Sequence, residues 1–396
     1  MVNILGINIT SLNKKRIWVK IKSFLTGKGQ HYIVTPNPEI ILAAQRDEEL
    51  FYILNHADLS LPDGIGLVMA GFFLGCKLRR ITGADLTSEL LFYAEKHNLR
   101  VVIFVWRGGL SREEEVKRAL GDRWPNLEFL VQAIDRRGRK VNYKKINTWA
   151  PKIMLVGLGA PWQEKFIYHN LPRFTSVKLA VGVGGAIDFL TGRARRAPRI
   201  WRQLGMEWLW RLIRQPNRLK RIWRAVVIFP LVFFRWRFIN SLFYRPNVVG
   251  LVYKRIGDKY YILLVERADE PGHWQLPQGG TDGQAVDTAG LRELREELNC
   301  DKFRKVAVFK DLYKYKFIQN LSKFGNSARR CWGYRGQKQS LLISEFLGDD
   351  KEIKLNFWDH SSWRWVQADK ILNAVHPVRR QGTKIFLRKF WEIIRK

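Results

Sequence analysis

Five short apolar runs rich in β-branched residues set the architecture of the first half of this chain. They are HYIVTPN (31–37), RVVIFVW (100–106), LEFLVQ (127–132), KIMLVGLG (152–159) and VKLAVGVGG (177–185). Helix-like stretches separate them: PEIILAAQRDEELFYILNHA (38–57) reads as one amphipathic helix, and LTSELLFYAEKHN and SREEEVKRALGDRW follow the same period. A strand apolar on both faces needs cover on both faces, so continuous apolar strands alternating with helices predict a mostly parallel, Rossmann-like sheet over residues 1–192. In such sheets ligands bind beyond the carboxyl ends of the strands.

The next stretch changes character. From Arg193 to Arg224 there are eleven Arg or Lys against one acid, Glu207, with Trp201, Trp208, Trp210 and Trp223 interleaved. AVVIFPLVFF (225–234) follows and is closed by Arg235, Trp236 and Arg237. Basic and Trp-rich sequence beside a short apolar stretch suits an anionic membrane surface, although single-stranded nucleic acid and plain core packing use the same residues. Ten apolar residues are too few to cross a bilayer, so no transmembrane helix is expected. The formal charge of the whole chain is +33 over 396 residues, which calls for a polyanionic partner. Cys76, Cys300 and Cys331 are scattered with no CxxC, which points to a reducing compartment and away from zinc or a disulfide framework. The start MVNILGINITSLNKKR lacks the pattern of a signal peptide. The expected location is cytoplasmic, peripheral at the inner face of the plasma membrane.

Within residues 1–192, polar and Gly-rich clusters fall at strand ends or in loops: TPNPE (35–39), LPDGIG (61–66), RRITGADL (79–86), GLGAPWQEK (157–165) and GVGGAIDFLTG (182–192). Gly-rich turns ahead of helices let backbone N–H groups approach phosphate, which makes Gly184 and Gly185 candidates for that contact. In this order, and followed by RAPRIWRQLGMEWLWRL, the clusters resemble the WecG/TagA/CpsF family, glycosyltransferase family 26. The resemblance implies inverting transfer of N-acetylmannosamine or a related sugar from a UDP donor. The acceptor it implies is N-acetylglucosaminyl-diphospho-undecaprenol, in teichoic acid or surface polysaccharide synthesis. Asp63 then becomes the candidate base for the acceptor hydroxyl. Thr35, Asn37 and Gln163 become candidates for hydrogen bonds to sugar and acceptor, and Arg80 for the departing diphosphate. No Asp-x-Asp occurs in residues 1–240, so no cofactor is expected for this half.

The last part carries GGTDGQAVDTAGLRELREE (279–297). Glu293, Glu296 and Glu297 at i, i+3 and i+4 share one helical face. Like charges so placed call for a cation, and hard oxygen ligands suit Mg²⁺ or Mn²⁺ holding a diphosphate. The run resembles the Nudix box, with three departures: one residue fewer between Gly279 and Arg292, Gln284 in place of a Glu, and Asn299 in place of the closing Gly. YRPNVVGLVY, HWQLPQGG, GYRGQKQSLLISEF and SSWRWV resemble the RNA pyrophosphohydrolase and dinucleoside polyphosphate hydrolase branch. That likeness implies metal ligation by Glu293, Glu296 and Glu297, with Glu296 and Glu297 also catalytic, and a fourth carboxylate at Glu352.

Three segments follow: a transferase domain (1–192), a basic Trp-rich membrane-associating appendage (193–240) and an α/β/α Nudix hydrolase domain with a mixed sheet (241–396). The expected partners are a UDP-sugar, a lipid-linked saccharide, an anionic membrane surface and a nucleotide or RNA 5′ end, with homo-oligomerisation open. The competing readings make the Nudix half the main enzyme, acting on RNA 5′ ends or dinucleoside polyphosphates, or a nucleotide sensor that regulates the transferase.

Overall fold

The computed structural model describes residues 1–198, 200, 201, 206–214, 219–317 and 333–395. Cys331 and positions 199, 202–205 and 215–218 of the basic segment lie outside the described residues. The chain forms two compact units, Met1–Phe233 and Phe234–Lys396. The boundary falls inside the stretch that the sequence sets apart as 193–240.

The first unit is built on a parallel sheet of β3 (His31–Val34), β4 (Leu59–Ser60), β5 (Val101–Trp106), β6 (Phe129–Ile134), β7 (Ile153–Gly157) and β8 (Leu179–Gly182), in the order β4-β3-β8-β7-β5-β6. A small antiparallel pair, β1 (Val2–Ile4) and β2 (Ile7–Ile9), precedes it. The central strands are buried along their length, as Val101 to Val105 and Ile153 to Val156 show, because helices cover both faces. The stretch 38–57, read as one helix, is two: Pro38–Ala44 and Glu48–Asn55. The break has a local cause. Asp47 takes an extended backbone and its side chain accepts from Leu50 N, restarting the helix as an N-cap.

The basic segment also departs from expectation. Leu219–Leu242 is a continuous 24-residue helical run, apolar enough by composition and long enough to cross a membrane. The apolar stretch 225–234 is too short to cross a bilayer by itself; the helix extends it at both ends, to roughly 36 Å at 1.5 Å per residue. Phe229 and Phe233 are buried, whereas Trp223, Leu231, Phe234, Phe238 and Leu242 are exposed. The helix therefore has one covered stripe and a largely uncovered apolar remainder.

The second unit is a mixed sheet. β9 (Tyr244–Ile256), β10 (Lys259–Arg267), β11 (Trp274–Gln275), β12 (Gln278–Gly280), β13 (Phe303–Lys316), β14 (Gly336–Phe346) and β15 (His360–Gln367) pair antiparallel except β9 with β14. Alternate residues of β9 point to opposite faces. Val248 and Val252 join Ala289, Leu294 and Leu298 of the helix Val286–Leu298. Val249 and Leu251 join Phe386, Leu387 and Phe390 of the helix Arg380–Ile394. This is the α/β/α arrangement the sequence predicts.

Candidate functional sites

In the first unit the motif clusters meet at the carboxyl ends of β3, β4, β7 and β8. Asp63 N donates to Pro36 O at 2.8 Å, lacing the Pro-Asp-Gly turn to the turn after β3. Gly64 has φ +109, a conformation that favours glycine, and this lets the chain enter the next helix with Asp63 half-buried. The Asp63 carboxylate faces Gly83 N at 3.4 Å. Thr35 Oγ1 donates to Gly182 O at 3.3 Å, tying β3 to the Gly-rich turn after β8. Asp63, Thr35 and the β8 turn are thereby neighbours, although far apart in sequence.

Three expected ligands already have work in the fold. Asn37 caps the helix Pro38–Ala44 by accepting from Ile40 N. Gln163 is buried; its Oε1 accepts from Gly184 N at 2.9 Å and its Nε2 donates to Glu164 Oε1 at 2.8 Å. The Gly184 N–H is thus directed at Gln163, while Gly185 begins the short helix Ala186–Leu190. Arg80 is ion-paired through Nη2 to Glu207 Oε2 at 2.5 Å. Glu207, the lone acid of the basic run, thus draws the appendage onto the site. Arg196 with Asp85 (2.8 Å) and Arg221 with Glu39 (2.6 Å) do the same at its flanks. A donor diphosphate would compete with Glu207 for the Arg80 guanidinium.

Glu164 was missed by the sequence reading. It is 1% exposed and its Oε2 has no hydrogen-bond partner among the described residues. Burial pushes its carboxyl up to about 7, against the lowering effect of the Gln163 bond. Because the folded chain holds this proton more tightly than the unfolded one, the associated stability is complete below the unfolded value and lost as pH rises to about 7. Glu164→Gln keeps the acceptor for Gln163 and removes the ionisable group. Urea unfolding of the first unit should show the variant gaining about 3 kcal/mol on wild type between pH 5 and pH 8. A pH-independent difference would mean that Glu164 does not titrate in this range.

In the second unit the acidic helix and the loop before it form one network. A Cβ on Gly279 would fall inside the Glu293 carboxylate, so only glycine lets the loop close there. Arg292 pairs with Glu293 and Glu296, each at 2.8 Å, and donates to Gly280 O at 2.9 Å. Its Nε donates to Gln284 Oε1 at 2.9 Å, so Gln284 keeps the loop closed as a neutral acceptor. Asn299 adopts the left-handed conformation, φ 46 and ψ 37, that its position requires.

Glu352, the fourth carboxylate that the resemblance implies, has a local role in the fold. Its carboxylate accepts from Asp349 N at 2.9 Å and closes the 3-10 turn Asp350–Glu352. The chain beyond this turn docks on the end of the acidic helix, with Lys354 N donating to Leu298 O and Asn356 Nδ2 to Glu296 O. That docking delivers His360 Nε2 to 3.3 Å from Glu297 Oε2. Burial pushes the Glu297 carboxyl up, opposed by His360 and reinforced by Asp359. Asp359 is thus the further acid that bears on Glu297. Nothing in its spacing from the acidic helix marks it; the return of β15 to the helix end does. The donor types suit a hard divalent cation: a buried carboxylate held at a cost, a second carboxylate seated against a glycine, and a third on the same face. Glu293, Glu296 and Glu297 would hold the ion, and Mg²⁺ there would supply charge neutralisation and water activation. Arg292 keeps Glu293 and Glu296 oriented, and Gln278 N donates to Glu297 Oε2 at 3.2 Å.

Residues 2–242 match the glycosyl transferase WecG/TagA/CpsF family. The chain belongs to that family. Residues 243–388 match the NUDIX domain, so a WecG/TagA/CpsF glycosyltransferase is joined to a C-terminal Nudix hydrolase domain. The N-acetylglucosaminyldiphosphoundecaprenol N-acetyl-beta-D-mannosaminyltransferase of Bacillus subtilis is 33% identical over 214 residues, covering 51% of this chain and 82% of the relative. The protein of the same name from Staphylococcus aureus strain MRSA252 is 32% identical over 235 residues, 58% of this chain and 90% of its own. Among solved structures, a C. elegans Ap4A hydrolase binary complex aligns at 18% identity with a TM-score of 0.29, over 38% of this chain and 98% of its own.

Proposed function

We propose that the first unit transfers N-acetylmannosamine, or a closely related sugar, from its UDP conjugate to an undecaprenyl-diphosphate-linked N-acetylglucosamine with inversion. The convergence of Asp63, Thr35, Arg80 and the β8 turn at one end of the parallel sheet carries this reading, and the names of the relatives supply the substrate class. In it Asp63 takes the acceptor proton. Arg80, on exchanging Glu207 for the diphosphate, balances the charge of the leaving group. The Nudix domain hydrolyses a nucleoside diphosphate-linked substrate with Mg²⁺ held by Glu293, Glu296 and Glu297. A screen of the whole protein tests both halves, scoring UDP release with the lipid-linked acceptor separately from Mg²⁺-dependent release of phosphate or pyrophosphate. Its substrates include dinucleoside polyphosphates and 5′-triphosphate RNA. Transfer to no lipid-linked acceptor would refute the first half, and no metal-dependent turnover would refute the second.

The reading places the protein at the inner face of the plasma membrane, held by the helix Leu219–Leu242. Buried Phe229 and Phe233 on one stripe, with Trp223, Leu231 and Phe234 exposed, favour an interfacial position over a crossing one. Arg221, Arg224, Arg235 and Arg237 along the same helix supply the attraction to anionic headgroups. The protein should float with vesicles containing anionic lipid, less so at high salt, and be released from them by alkaline carbonate. Replacing both Leu231 and Phe234 with Asp should abolish flotation. Unchanged flotation of the double variant would refute the assignment, and stronger retention on RNA than on vesicles would point to nucleic acid.

A further inference from the structure

Glu270, His273 and His376 bring their ligand atoms within 4.8 Å of one another, which invites a metal. The hydrogen bonds argue otherwise. Arg379 Nε, which can only donate, lies 3.3 Å from His273 Nε2. That nitrogen must therefore be the acceptor, so the proton sits on Nδ1, 2.9 Å from Glu270 Oε2. A metal at Nδ1 would need the opposite tautomer and would set an imidazole N–H against a guanidinium N–H. The parallel stacking of His273 on His376, centroids 4.1 Å apart and planes 10° apart, also keeps one ion out of both ring planes. Burial holds His273 neutral, down to about 3, with Arg379 and Arg267 adding to the effect. The cluster is a clamp on Arg379.

Arg379 is held at its other end as well. Its Nη1 donates to Tyr315 Oη at 3.1 Å, and that hydroxyl donates to Gln337 Oε1 at 2.5 Å. Two of the five guanidinium N–H groups are thereby used among the described residues, and Arg379 is one of the residues lining a pocket. The pocket lies between the mixed sheet and the helix Arg380–Ile394. Tyr313 and Tyr315 give it flat aromatic surface, with Val249, Leu276 and Phe386 as apolar lining. Gln339 reaches in from β14. Its Nε2 donates to Gln278 Oε1 at 2.8 Å and to Asn247 Oδ1 at 3.4 Å, which leaves Oε1 as the acceptor beside Gly382.

We propose that this pocket of the Nudix domain binds a guanine base, with Arg379 donating to its O6 and N7 edge and Gln339 Oε1 accepting from its ring N–H. A fixed guanidinium matches two adjacent acceptors, and guanine offers that pair. Adenine turns an amino group toward the same donors. Cytosine and uracil are smaller and lack N7. A neighbouring acceptor then completes the match to N1–H or the exocyclic amine. Glu270 and His273 act as positioning residues that fix the plane of the guanidinium. The proposal rests on the Nudix reading only for the location of the nucleotide; base recognition itself needs no hydrolysis.

The test is calorimetric binding of GDP, ADP and CDP to the whole chain in EDTA, where metal-dependent cleavage is off. GDP should bind about tenfold or more tighter than ADP and CDP. Arg379→Lys keeps the charge but not the planar fork, and should remove that preference. His273→Ala should weaken GDP binding severalfold. His273→Gln should restore most of it, since its amide can accept from Arg379 and donate to Glu270; a merely structural role for His273 would not give that rescue. Equal affinity for ADP or CDP in the wild-type protein, or a preference for GDP that survives Arg379→Lys, would overturn the proposal. The wild-type comparison stands even if a variant fails to fold. Guanine preference without Mg²⁺-dependent hydrolysis supports the pocket and counts against the hydrolase reading alone.

Discussion

Replacing Asp63 with Asn is expected to lower sugar transfer by about 10²-fold or more, the usual loss when a positioned base is removed, while Mg²⁺-dependent hydrolysis by the Nudix domain stays at the wild-type rate. The substitution keeps the shape of the Pro-Asp-Gly turn: the bond from Asp63 N to Pro36 O is backbone, and the glycine conformation at Gly64 is untouched. The long approach of Gly83 N to the carboxylate, 3.4 Å, can be kept by an amide oxygen, a weaker acceptor than a carboxylate. Loss of transfer would therefore report loss of basicity. The measurement is the rate of UDP release with saturating lipid-linked acceptor, for a variant with unaltered circular dichroism and unaltered Nudix activity. Near-normal transfer would remove Asp63 from the role of base. A rise in donor KM with kcat intact would instead make it a binding residue.

The second large effect is expected at Glu297. Glu297→Gln conserves volume inside a tightly packed corner, keeps an acceptor for Gln278 N, and deletes the charge that a divalent ion would meet. Metal-dependent hydrolysis should fall by about 10³-fold, the scale lost when a charged group that acts on the transition state is removed, with sugar transfer unchanged. Chelation of the wild-type protein should reproduce the loss. Glu352→Gln should leave hydrolysis within about twofold, because that carboxylate caps a turn; as an exposed cap its loss should cost at most about 1 kcal/mol of local stability. Metal-dependent turnover close to wild type in a folded Glu297→Gln protein would place the ion elsewhere. Strong loss in Glu352→Gln would return that residue to the metal site.

Several departures in the acidic motif lose their force once Arg292 is followed. A loop one residue short and a Gln in place of a Glu read as defects along the sequence. In the fold, Arg292 reaches Gly280 O, Gln284 Oε1, Glu293 and Glu296 together. The shortened loop is drawn onto a single guanidinium, which is paired with Glu293, Glu296 and Asp282 and needs only a neutral acceptor from Gln284.

The sequence by itself determined the parallel sheet, because continuous β-branched runs between helical periods have few other stable arrangements, and it determined the face shared by Glu293, Glu296 and Glu297, because helical spacing is local. It also marked Thr35 and the β8 turn as strand-end positions, where open α/β sheets bind ligands, Asp63 as a turn residue and Arg80 as the approach to a helix. Only the tertiary structure decided what those residues meet. The break at Asp47 came from one side chain capping Leu50 N, against an unbroken apolar period. Gln163 proved to be a brace for Gly184, and Asn37 a helix cap, since both partners lie where the chain folds back. That Asp359 bears on Glu297 depended on how the chain after β14 docks on the helix end, through Asn299, Lys354 and Asn356. Glu207 was one acid among eleven basic residues until the fold set it against Arg80, 127 positions away. Local periodicity fixes elements and faces; long-range hydrogen bonds and burial, which no local pattern records, fix which charges face each other.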